Sequence, residues 1–241
     1  MTTAELVAPS APAVAARVFG RALPQVEAYA ALLAGPGVER GLLGPREAPR
    51  LWDRHLLNCA GLAALIPQGA VVLDLGSGAG LPGLVLALQR PDLAVVLVEP
   101  LLRRATFLAE VVEALGLRTV VVRRNRAQEL MGTLEVDAVV ARAVAPVGRL
   151  AGWSLPLLRP GGRLLALKGE QAAAELDTAR ADLHRLGAVR CEILEIGDAA
   201  QSTAARVVIV ERGATARQAA SRPSARSARQ RSARGPDRGR Q

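Results

Sequence analysis

The sequence contains few aromatic residues, and this shortage limits both its core and its partners. Only five rings occur in 241 residues, at Phe19, Tyr29, Trp52, Phe107 and Trp153. The core must therefore consist mainly of Leu, Val and Ala, which supply most of the 50% hydrophobic residues. So few rings also argue against a base-stacking platform of the kind that single-strand nucleic-acid binders use.

Cysteine is equally scarce, and long apolar runs are missing. Cys59 and Cys191 lie far apart without a second thiol or a histidine at metal-binding spacing, so we expect reduced core thiols and no metal site. No uncharged apolar run reaches the roughly 18 residues that a membrane-spanning helix needs. The amino terminus carries Glu5 and lacks a basic start, so it is a poor signal peptide and predicts a cytoplasmic protein.

Lysine is almost absent, although the chain is basic. Arginine supplies all but one of the 31 basic residues, and the exception is Lys168. Residues 213–241 hold eight Arg and one Asp, which is +7 of the net charge of +9 and leaves +2 for the rest. This Arg-rich tail has almost nothing to bury, which predicts disorder. It is either a dispensable solvated extension or an arm that contacts RNA.

The apolar pattern divides the chain into three parts. Residues 1–68 form a predicted N-terminal helical segment packed on the core, with three or four helices interrupted by prolines. Residues 69–212 alternate short β-branched runs with helical spacing and form the predicted catalytic domain. Residues 213–241 are the Arg-rich tail.

The alternation in the second part predicts a parallel sheet covered by helices on both faces. The predicted strands are 71–75, 94–98, 119–123, 137–141 and 163–167, and the predicted helices are 81–90, 101–115, 147–158 and 171–186. Two further strands, 188–196 and 204–212, are separated by too few residues for a crossover helix, so they should pair antiparallel. The fold class is therefore α/β, a doubly wound and mostly parallel sheet with a C-terminal antiparallel hairpin and an N-terminal helical segment.

The most informative stretch is VVLDLGSGAGLPG at residues 71–83, a buried-type strand that enters a glycine-rich loop. Gly76, Gly78 and the glycines after them leave the backbone bare, so a nucleotide-like ligand can lie against the main chain. Asp74 precedes them at the carboxyl end of the strand, where it would repel a pyrophosphate. S-adenosyl-L-methionine carries a sulfonium and an ammonium group, so this carboxylate favours it over the anion NAD.

A second acid follows at the spacing that such a cofactor site requires. Glu99 ends the second predicted strand, where its carboxylate can accept hydrogen bonds from both ribose hydroxyls. Residues 78–83 also fit the G-x-G-x-x-G fingerprint, so an NAD site and a simple strand-to-helix turn remain open. Asp74 and the antiparallel ending favour the class I, Rossmann-like fold of S-adenosylmethionine-dependent methyltransferases.

Several separated segments carry a more specific resemblance. They are RLWDRHLLNCAGLAALIP at 50–67, VLDLGSGAGLPGLVLAL at 72–88, VEPLLRRATFLAEVVEALGL at 98–117, RNRAQEL at 124–130 and DAVVARAVAPVGRLAGWSLPLLRPGGRLLALKG at 137–169. Over residues 20–212 the sequence resembles the bacterial 16S rRNA guanine-N7 methyltransferases, once called glucose-inhibited division protein B. The loop that ends in Leu-Pro-Gly and the spacing from RA to LLALKG are the discriminating parts.

The resemblance implies methylation of N7 of guanine 527, in the 530 loop of 16S rRNA, with S-adenosyl-L-methionine as cofactor. It implies cofactor contacts at Gly76, Leu81, Ala127, Gln128 and Arg142. The implied partner is 16S rRNA or the small ribosomal subunit, and we expect a monomer. In the family the residue that matches Gln128 is often acidic, but the carbonyl of Gln128 can still accept a hydrogen bond from the adenine amino group.

The chemistry implied by this resemblance needs no catalytic base, because N7 of guanine already presents a lone pair. Arg142 can contact the guanine edge or the cofactor carboxylate, and Lys168, at the end of a strand, can meet a phosphate. Arg124, within an arginine cluster, can grip the RNA backbone. Arg54 shares a helix face with Asn58 that could look into the cleft. Lys168, Arg124 and Arg54 are therefore the predicted substrate-binding residues.

Other functions remain open at this point. A small-molecule methyltransferase of the same fold would need an apolar lid, which residues 12–66 could form. A non-catalytic RNA-binding factor for ribosome assembly would have a decayed cofactor loop, whereas Asp74, Glu99 and the glycines are intact. An NAD-dependent oxidoreductase is the remaining alternative.

Overall fold

The computed structural model describes residues 7–197 and 205–214. The predictions made for the first six residues, for most of the loop between the last two strands and for the tail beyond residue 214 lie outside the described residues. The described part forms one seven-stranded sheet with helices on both faces.

The sheet is mixed, and its strands follow the predicted order along the chain. The strands are β1 (Val71–Leu75), β2 (Ala94–Val98), β3 (Val120–Arg123), β4 (Val136–Arg142), β5 (Leu158–Lys168), β6 (Ala188–Ile196) and β7 (Ala205–Arg212). Their spatial order is β3-β2-β1-β4-β5-β7-β6. The pairs from β3 to β5 are parallel, whereas β7 is antiparallel to both β5 and β6. The predicted α/β class with its antiparallel ending is therefore confirmed.

The helices lie on both sides of this sheet. They are α1 (Ala13–Phe19), α2 (Leu23–Leu32), α3 (Leu57–Ala60), α4 (Gly83–Gln89), α5 (Leu102–Ala114), α6 (Val147–Ser154) and α7 (Ala172–Arg185). Short 3-10 and π-helical turns join them, mostly in the first 65 residues. Within the described residues, no helix is both long enough and apolar enough to cross a membrane.

Alternation along the strands divides the core into two apolar layers. Val72 of β1 faces the layer that contains α4, α5 and the N-terminal helices, whereas Leu73 faces the layer that contains α6 and α7. Successive side chains of a strand point to opposite faces, so a sheet covered on both sides needs apolar residues in both registers. The burial pattern of β1, with four of five residues buried, satisfies this requirement.

Two predicted boundaries differ from the structure for local reasons. The helix predicted over 147–158 ends at Ser154, and a 3-10 turn that contains Pro156 follows. Proline lacks the N–H that the next helical turn would use. The strand predicted over 163–167 begins at Leu158, because that residue already pairs with Val136 before an irregularity in the register.

The N-terminal helices pack directly on the sheet domain. Tyr29, Leu33 and Leu56 are fully buried and share one apolar cluster with Leu84 of α4 and Phe107 of α5. Because one cluster joins these helices to α4 and α5, they belong to the same core. Each fully buried large side chain in it contributes about 1.5–3 kcal/mol to the stability of the fold. Their position brings N-terminal residues close to the carboxyl ends of the parallel strands.

Candidate cofactor and substrate site

A cavity of about 670 Å³ opens at the carboxyl ends of the parallel strands. The first four strands each contribute a loop to its wall, as expected for the ligand crevice of a doubly wound sheet. Its wall includes Leu42, Leu43, Gly76, Ser77, Gly78, Ala79, Leu81, Glu99, Pro100, Leu101, Arg104, Asn125, Arg126, Ala127, Gln128, Arg142, Ala143, Val144 and Trp153. The volume lies within the range of about 300–1,000 Å³ that small-molecule and cofactor sites occupy.

The glycine loop begins at Gly76 and is fastened to the neighbouring strand. The amides of Gly76 and Ser77 both donate to the carbonyl of Val98, at 2.9 and 3.0 Å. Gly76 has φ +72°, and a Cβ there would lie 3.0 Å from a methyl carbon of Val144. The backbone conformation therefore favours glycine at this position, and a Cβ would fit only if the Val144 side chain moved by a few tenths of an ångström.

Glu99 lies beneath the loop at the floor of the cavity. Its Oε2 accepts a hydrogen bond from the amide of Gly78 and its Oε1 accepts one from the amide of Leu101, each at 3.0 Å. The residue is only 2% exposed, and Nη1 of Arg104 approaches its Oε2 at 3.8 Å. Each carboxylate oxygen keeps a further acceptor position, so Glu99 can also receive two hydroxyl groups.

Asp74 lies outside the cavity wall, which corrects the prediction that it contacts a cationic cofactor. It shares a face of β1 with Val72, and its Oδ2 accepts a hydrogen bond from the amide of Gly83 at 2.9 Å, at the start of α4. Asp74 is fully buried and does not line the cavity, so it cannot select a cationic cofactor by direct contact. Burial raises its pKa to about 7. Helix α4 covers its side chain, whereas Glu99 is the carboxylate that reaches the cavity.

The other predicted cofactor residues do meet at the cavity. Leu81 enters the wall from the glycine loop, and Ala127 and Gln128 enter it from a 3-10 turn after β3. Arg142 ends β4 and completes the opposite side. The structure thus brings together residues from three strand ends, while their binding roles stay predictions.

The three predicted substrate-binding residues do not line the cavity. Arg54 pairs with Glu47 at 3.2 Å, and only its backbone carbonyl reaches Arg142, whose Nη1 donates to it at 3.5 Å. Arg124 is exposed and directly precedes the four consecutive cavity residues 125–128. Nζ of Lys168 donates a hydrogen bond to the carboxylate of Glu175. The ammonium group that was predicted to meet a phosphate is therefore paired with a carboxylate inside the protein.

Several cavity residues were missed because no local signal marks them. Leu42 and Leu43 come from the connection between α2 and α3, and Trp153 comes from α6. Tyr29 reaches the site indirectly, because its hydroxyl donates to the carbonyl of Ala79 at 2.8 Å across 50 residues of sequence. A pair of leucines and a tyrosine on a helix look like ordinary core residues in the sequence.

The thiols do not take part in this arrangement. Burial raises the pKa of Cys59 to about 12, and Cys191 lies on β6 at the far edge of the sheet. A neutral, buried thiol is a weak nucleophile. Among residues 7–197 and 205–214, no three His, Cys, Asp or Glu side chains come together as a metal site would need.

The cavity fits S-adenosyl-L-methionine by the groups that it presents. A bare glycine backbone, a buried carboxylate at Glu99 and apolar walls at Leu81 and Ala127 suit an adenosine. Burying a carboxylate is costly unless it is paired or hydrogen-bonded, and here two backbone amides satisfy it. The same features would accept the ribose of NAD, so the geometry alone does not separate the two cofactors.

Comparison with known proteins separates them. The family described as rRNA small subunit methyltransferase G matches residues 22–203. The chain is 55% identical over 206 residues to the ribosomal RNA small subunit methyltransferase G of Streptomyces avermitilis, covering 85% of this chain and 87% of that one. It is 58% identical over 200 residues to the protein of the same name from Thermobifida fusca, covering 83% and 84%.

Solved structures agree at the level of the fold. A SAM-dependent O-methyltransferase from Thermotoga maritima superposes with a TM-score of 0.53 at 18% identity, covering 65% of each chain. A SAM-dependent methyltransferase from Aquifex aeolicus gives a TM-score of 0.52 at 18% identity, covering 69% of this chain and 94% of that one. The predicted class I methyltransferase fold is therefore confirmed.

These matches also decide the enzyme class. The family matched over residues 22–203 is a methyltransferase family, so the predicted S-adenosyl-L-methionine-dependent methyltransferase is confirmed, and the NAD-dependent oxidoreductase is not. With relatives at 55–58% identity over more than four fifths of its length, the chain belongs to the rRNA small subunit methyltransferase G family.

Proposed function

We propose that this protein methylates N7 of guanine 527, in the 530 loop of 16S rRNA, at the cavity above the parallel strands. One observation carries the proposal, in a chain of this family: inside that cavity the glycine loop is hydrogen-bonded to the carbonyl of Val98 and, through the amide of Gly78, to the carboxylate of Glu99. S-adenosyl-L-methionine supplies the methyl group when it is bound. The partner is 16S rRNA or the small ribosomal subunit.

The residues of the cavity divide the work of binding. The backbone of Gly76 and Gly78 would lie against the cofactor, Glu99 would accept hydrogen bonds from the ribose hydroxyls, and Ala127 and Gln128 would hold the adenine. Leu81 supplies apolar surface where the loop enters α4. Arg142, on the opposite wall, has a planar fork of donors that suits a guanine edge or a carboxylate.

Positioning replaces acid–base catalysis in this mechanism. The described residues that line the cavity include only Glu99 and arginines as ionisable groups, and Glu99 is engaged by two backbone amides. Arginine stays protonated and is a poor base. Guanine N7 would attack the methyl carbon with its own lone pair and lose no proton, while the carbon–sulfur bond breaks and its electron pair leaves with sulfur as a neutral thioether. Alignment of two bound reactants can supply about 7–11 kcal/mol of the barrier reduction.

The deciding experiment follows labelled methyl from S-adenosyl-L-methionine into small ribosomal subunits taken from a strain without the enzyme. We expect label at one guanine N7 in the 530 loop, located by cleavage of the RNA at the modified base. Label at another nucleotide would correct the target. Cofactor binding with no label on RNA would redirect the search to a small-molecule substrate, and no cofactor binding would favour an assembly factor.

Arg142 gives a second test within the same assay. Arg142→Lys keeps the charge but loses the planar fork, whereas Arg142→Ala loses both. We expect Arg142→Ala to lower kcat/KM for subunits by about tenfold or more, since a bidentate base contact is worth about 1–3 kcal/mol. Recovery in Arg142→Lys would mean that charge alone matters and that the fork does not read the base.

A further inference from the structure

The connection between β4 and α6 forms one wall of the cavity and has an unusual backbone. Ala143 and Val144 line the cavity, and Val144 packs against the glycine loop at Gly76. Ala143 has φ +54°, and it is the one non-glycine residue with positive φ in the described part of the chain. Such a conformation persists only where the surroundings hold it.

Lys168 holds this connection from the end of β5. Its Nζ donates to the carbonyl of Ala145 at 2.5 Å and to Oε2 of Glu175 at 2.8 Å. The side chain of Lys168 is only 9% exposed. A compact ammonium with three donors is thus fixed between a loop carbonyl and a carboxylate.

Glu175 holds the other end of the same connection. It lies in the first turn of α7, and its Oε2 also accepts from the amide of Val147 at 3.0 Å. Val147 is the first residue of α6, whose amide has no partner inside its own helix. The ion pair therefore fixes the carbonyl of Ala145 and the amide of Val147 together.

The contacts of this ion pair fix the position of the connection between β4 and α6. The side chain of Lys168 is nearly buried and that of Glu175 is 27% exposed, and taking such a pair partly out of water adds little net stability unless its remaining donors and acceptors are satisfied. Here the partners of both charges are backbone groups of a single connection, two and four residues after Ala143. The network therefore determines where that connection lies.

We propose that Lys168 and Glu175 are positioning residues that hold the connection between β4 and α6 in its left-handed conformation, so that Val144 and Arg142 face the cofactor loop. The inference rests on the proposed methyl transfer at this cavity. It assigns Lys168 to the inside of the protein, in place of the phosphate contact that the sequence predicted.

A phosphate contact and a positioning role for Lys168 predict different results when the charge of Glu175 is removed. If Lys168 met an RNA phosphate, removal of the Glu175 charge would free the ammonium and tighten RNA binding. If the pair positions the connection, removal of either charge misplaces Val144 and Arg142 and slows methyl transfer. A displacement of about 1 Å near reacting groups can cost on the order of a hundredfold in rate.

The experiment compares the full-length wild type with Lys168→Met, Glu175→Gln and the double variant. Methionine keeps the apolar stem, and glutamine can still accept from the amide of Val147, so both variants retain most of the packing. Asp177→Asn is the matched control, because it removes an exposed ion pair with Arg180 on the same helix. Four quantities are measured: kcat and KM for subunits, cofactor affinity by calorimetry, and the salt dependence of RNA affinity.

We expect both single variants to lower kcat by about tenfold or more, with the double variant no worse than either, because both residues belong to one network. The salt slope of RNA affinity should stay at the wild-type value, because no phosphate contact is lost, and Asp177→Asn should match the wild type throughout. A salt slope that falls by about one in Lys168→Met, together with unchanged kcat in Glu175→Gln, would overturn the proposal in favour of a phosphate contact.

Amide hydrogen exchange over residues 143–147 separates this inference from the proposed function. We expect faster exchange there in Lys168→Met and Glu175→Gln, and not in Asp177→Asn, together with cofactor binding weakened by about threefold or more. These readouts need no RNA, so they hold even if the wild type transfers no methyl group to subunits, which would sink the proposed function alone. Unchanged exchange and cofactor affinity would overturn the positioning role.

Discussion

Individual residues shape the wall of the cavity, and Gly76 restricts it in two ways. Its positive φ and its contact with Val144 make two separate demands, one on the backbone and one on space. Gly116 makes only the first, because it has φ +63° and a Cβ added there would meet no atom within 4 Å. The two glycines therefore allow strain and collision to be measured apart.

Gly76→Ala should weaken binding of S-adenosyl-L-methionine by about tenfold or more, which corresponds to about 1.4 kcal/mol. Gly116→Ala should lower the free energy of unfolding through backbone strain about as much as Gly76→Ala does, and it should leave cofactor affinity unchanged. Isothermal titration calorimetry of the folded variants gives both affinities. If Gly76→Ala bound the cofactor as tightly as the wild type, the assigned site would be wrong.

Asp74 shows how one buried carboxylate makes stability depend on pH. Burial raises its pKa to about 7, so between about pH 4 and pH 7 the folded protein holds a proton that the unfolded chain has lost. The free energy of unfolding therefore falls as pH rises through this window, by up to about 1.4 kcal/mol per pH unit from this group. Above the folded pKa this dependence ends.

Asp74→Asn should remove that slope. His55, whose pKa is lowered to about 4 by burial, acts in the opposite direction over much of the same window, but it is present in both proteins. The difference in unfolding free energy between wild type and Asp74→Asn, measured with urea at several pH values, should therefore change steadily from pH 4 to 7. A constant difference would mean that Asp74 is already ionised in the folded protein at low pH.

At the scale of elements, α2 supports the glycine loop through a single hydrogen bond. Burial raises the pKa of Tyr29 well above its usual value, so its hydroxyl stays protonated and donates to the carbonyl of Ala79. A buried carbonyl without a partner costs about 1–3 kcal/mol. The helix thus fixes a loop that lies 50 residues away in the sequence.

Tyr29→Phe should raise the KM for S-adenosyl-L-methionine by several-fold and leave kcat nearly unchanged, because we propose that the loop binds the cofactor and not the substrate. Trp52→Phe is the control. It removes another hydrogen bond of the N-terminal helices, from the indole to the carbonyl of Pro9, which does not reach the loop. If the two variants changed KM equally, Tyr29 would stabilise the fold in general and have no specific effect on the glycine loop.

In the whole molecule, most of the net positive charge is concentrated at one end of the sequence. Residues 213–241 carry +7 of the net charge of +9, while the cavity is lined by residues of the described part. Nucleic-acid affinity depends on salt in proportion to the number of phosphates that basic groups neutralise. The tail therefore has a measurable signature if it touches RNA.

A chain truncated after residue 214 should keep its kcat and the salt slope of its affinity for small subunits, since the residues proposed to bind cofactor and substrate all precede that point. Filter binding at several salt concentrations measures the slope. A slope reduced by several units would identify the tail as an arm that contacts RNA. A variant with the eight tail arginines replaced by glutamine controls for the loss of chain length.

Features that depend on local periodicity and backbone freedom could be predicted from neighbouring residues alone. Alternating β-branched runs located the strands, and the glycines located the cofactor loop, because side-chain alternation and positive φ are properties of neighbouring residues. The same stretches carried the resemblance to the family that the comparisons confirm.

Which side chains face the cavity could not be predicted in this way, because it depends on how distant elements pack. Helix α4 covers the side of β1 that carries Asp74, so Glu99 is the carboxylate at the cavity. Tyr29 and Leu43 join the site from far along the chain, and Lys168 turns inward to Glu175. These outcomes depend on packing between elements distant in sequence, and burial of a charge is decided by the partners that such packing provides.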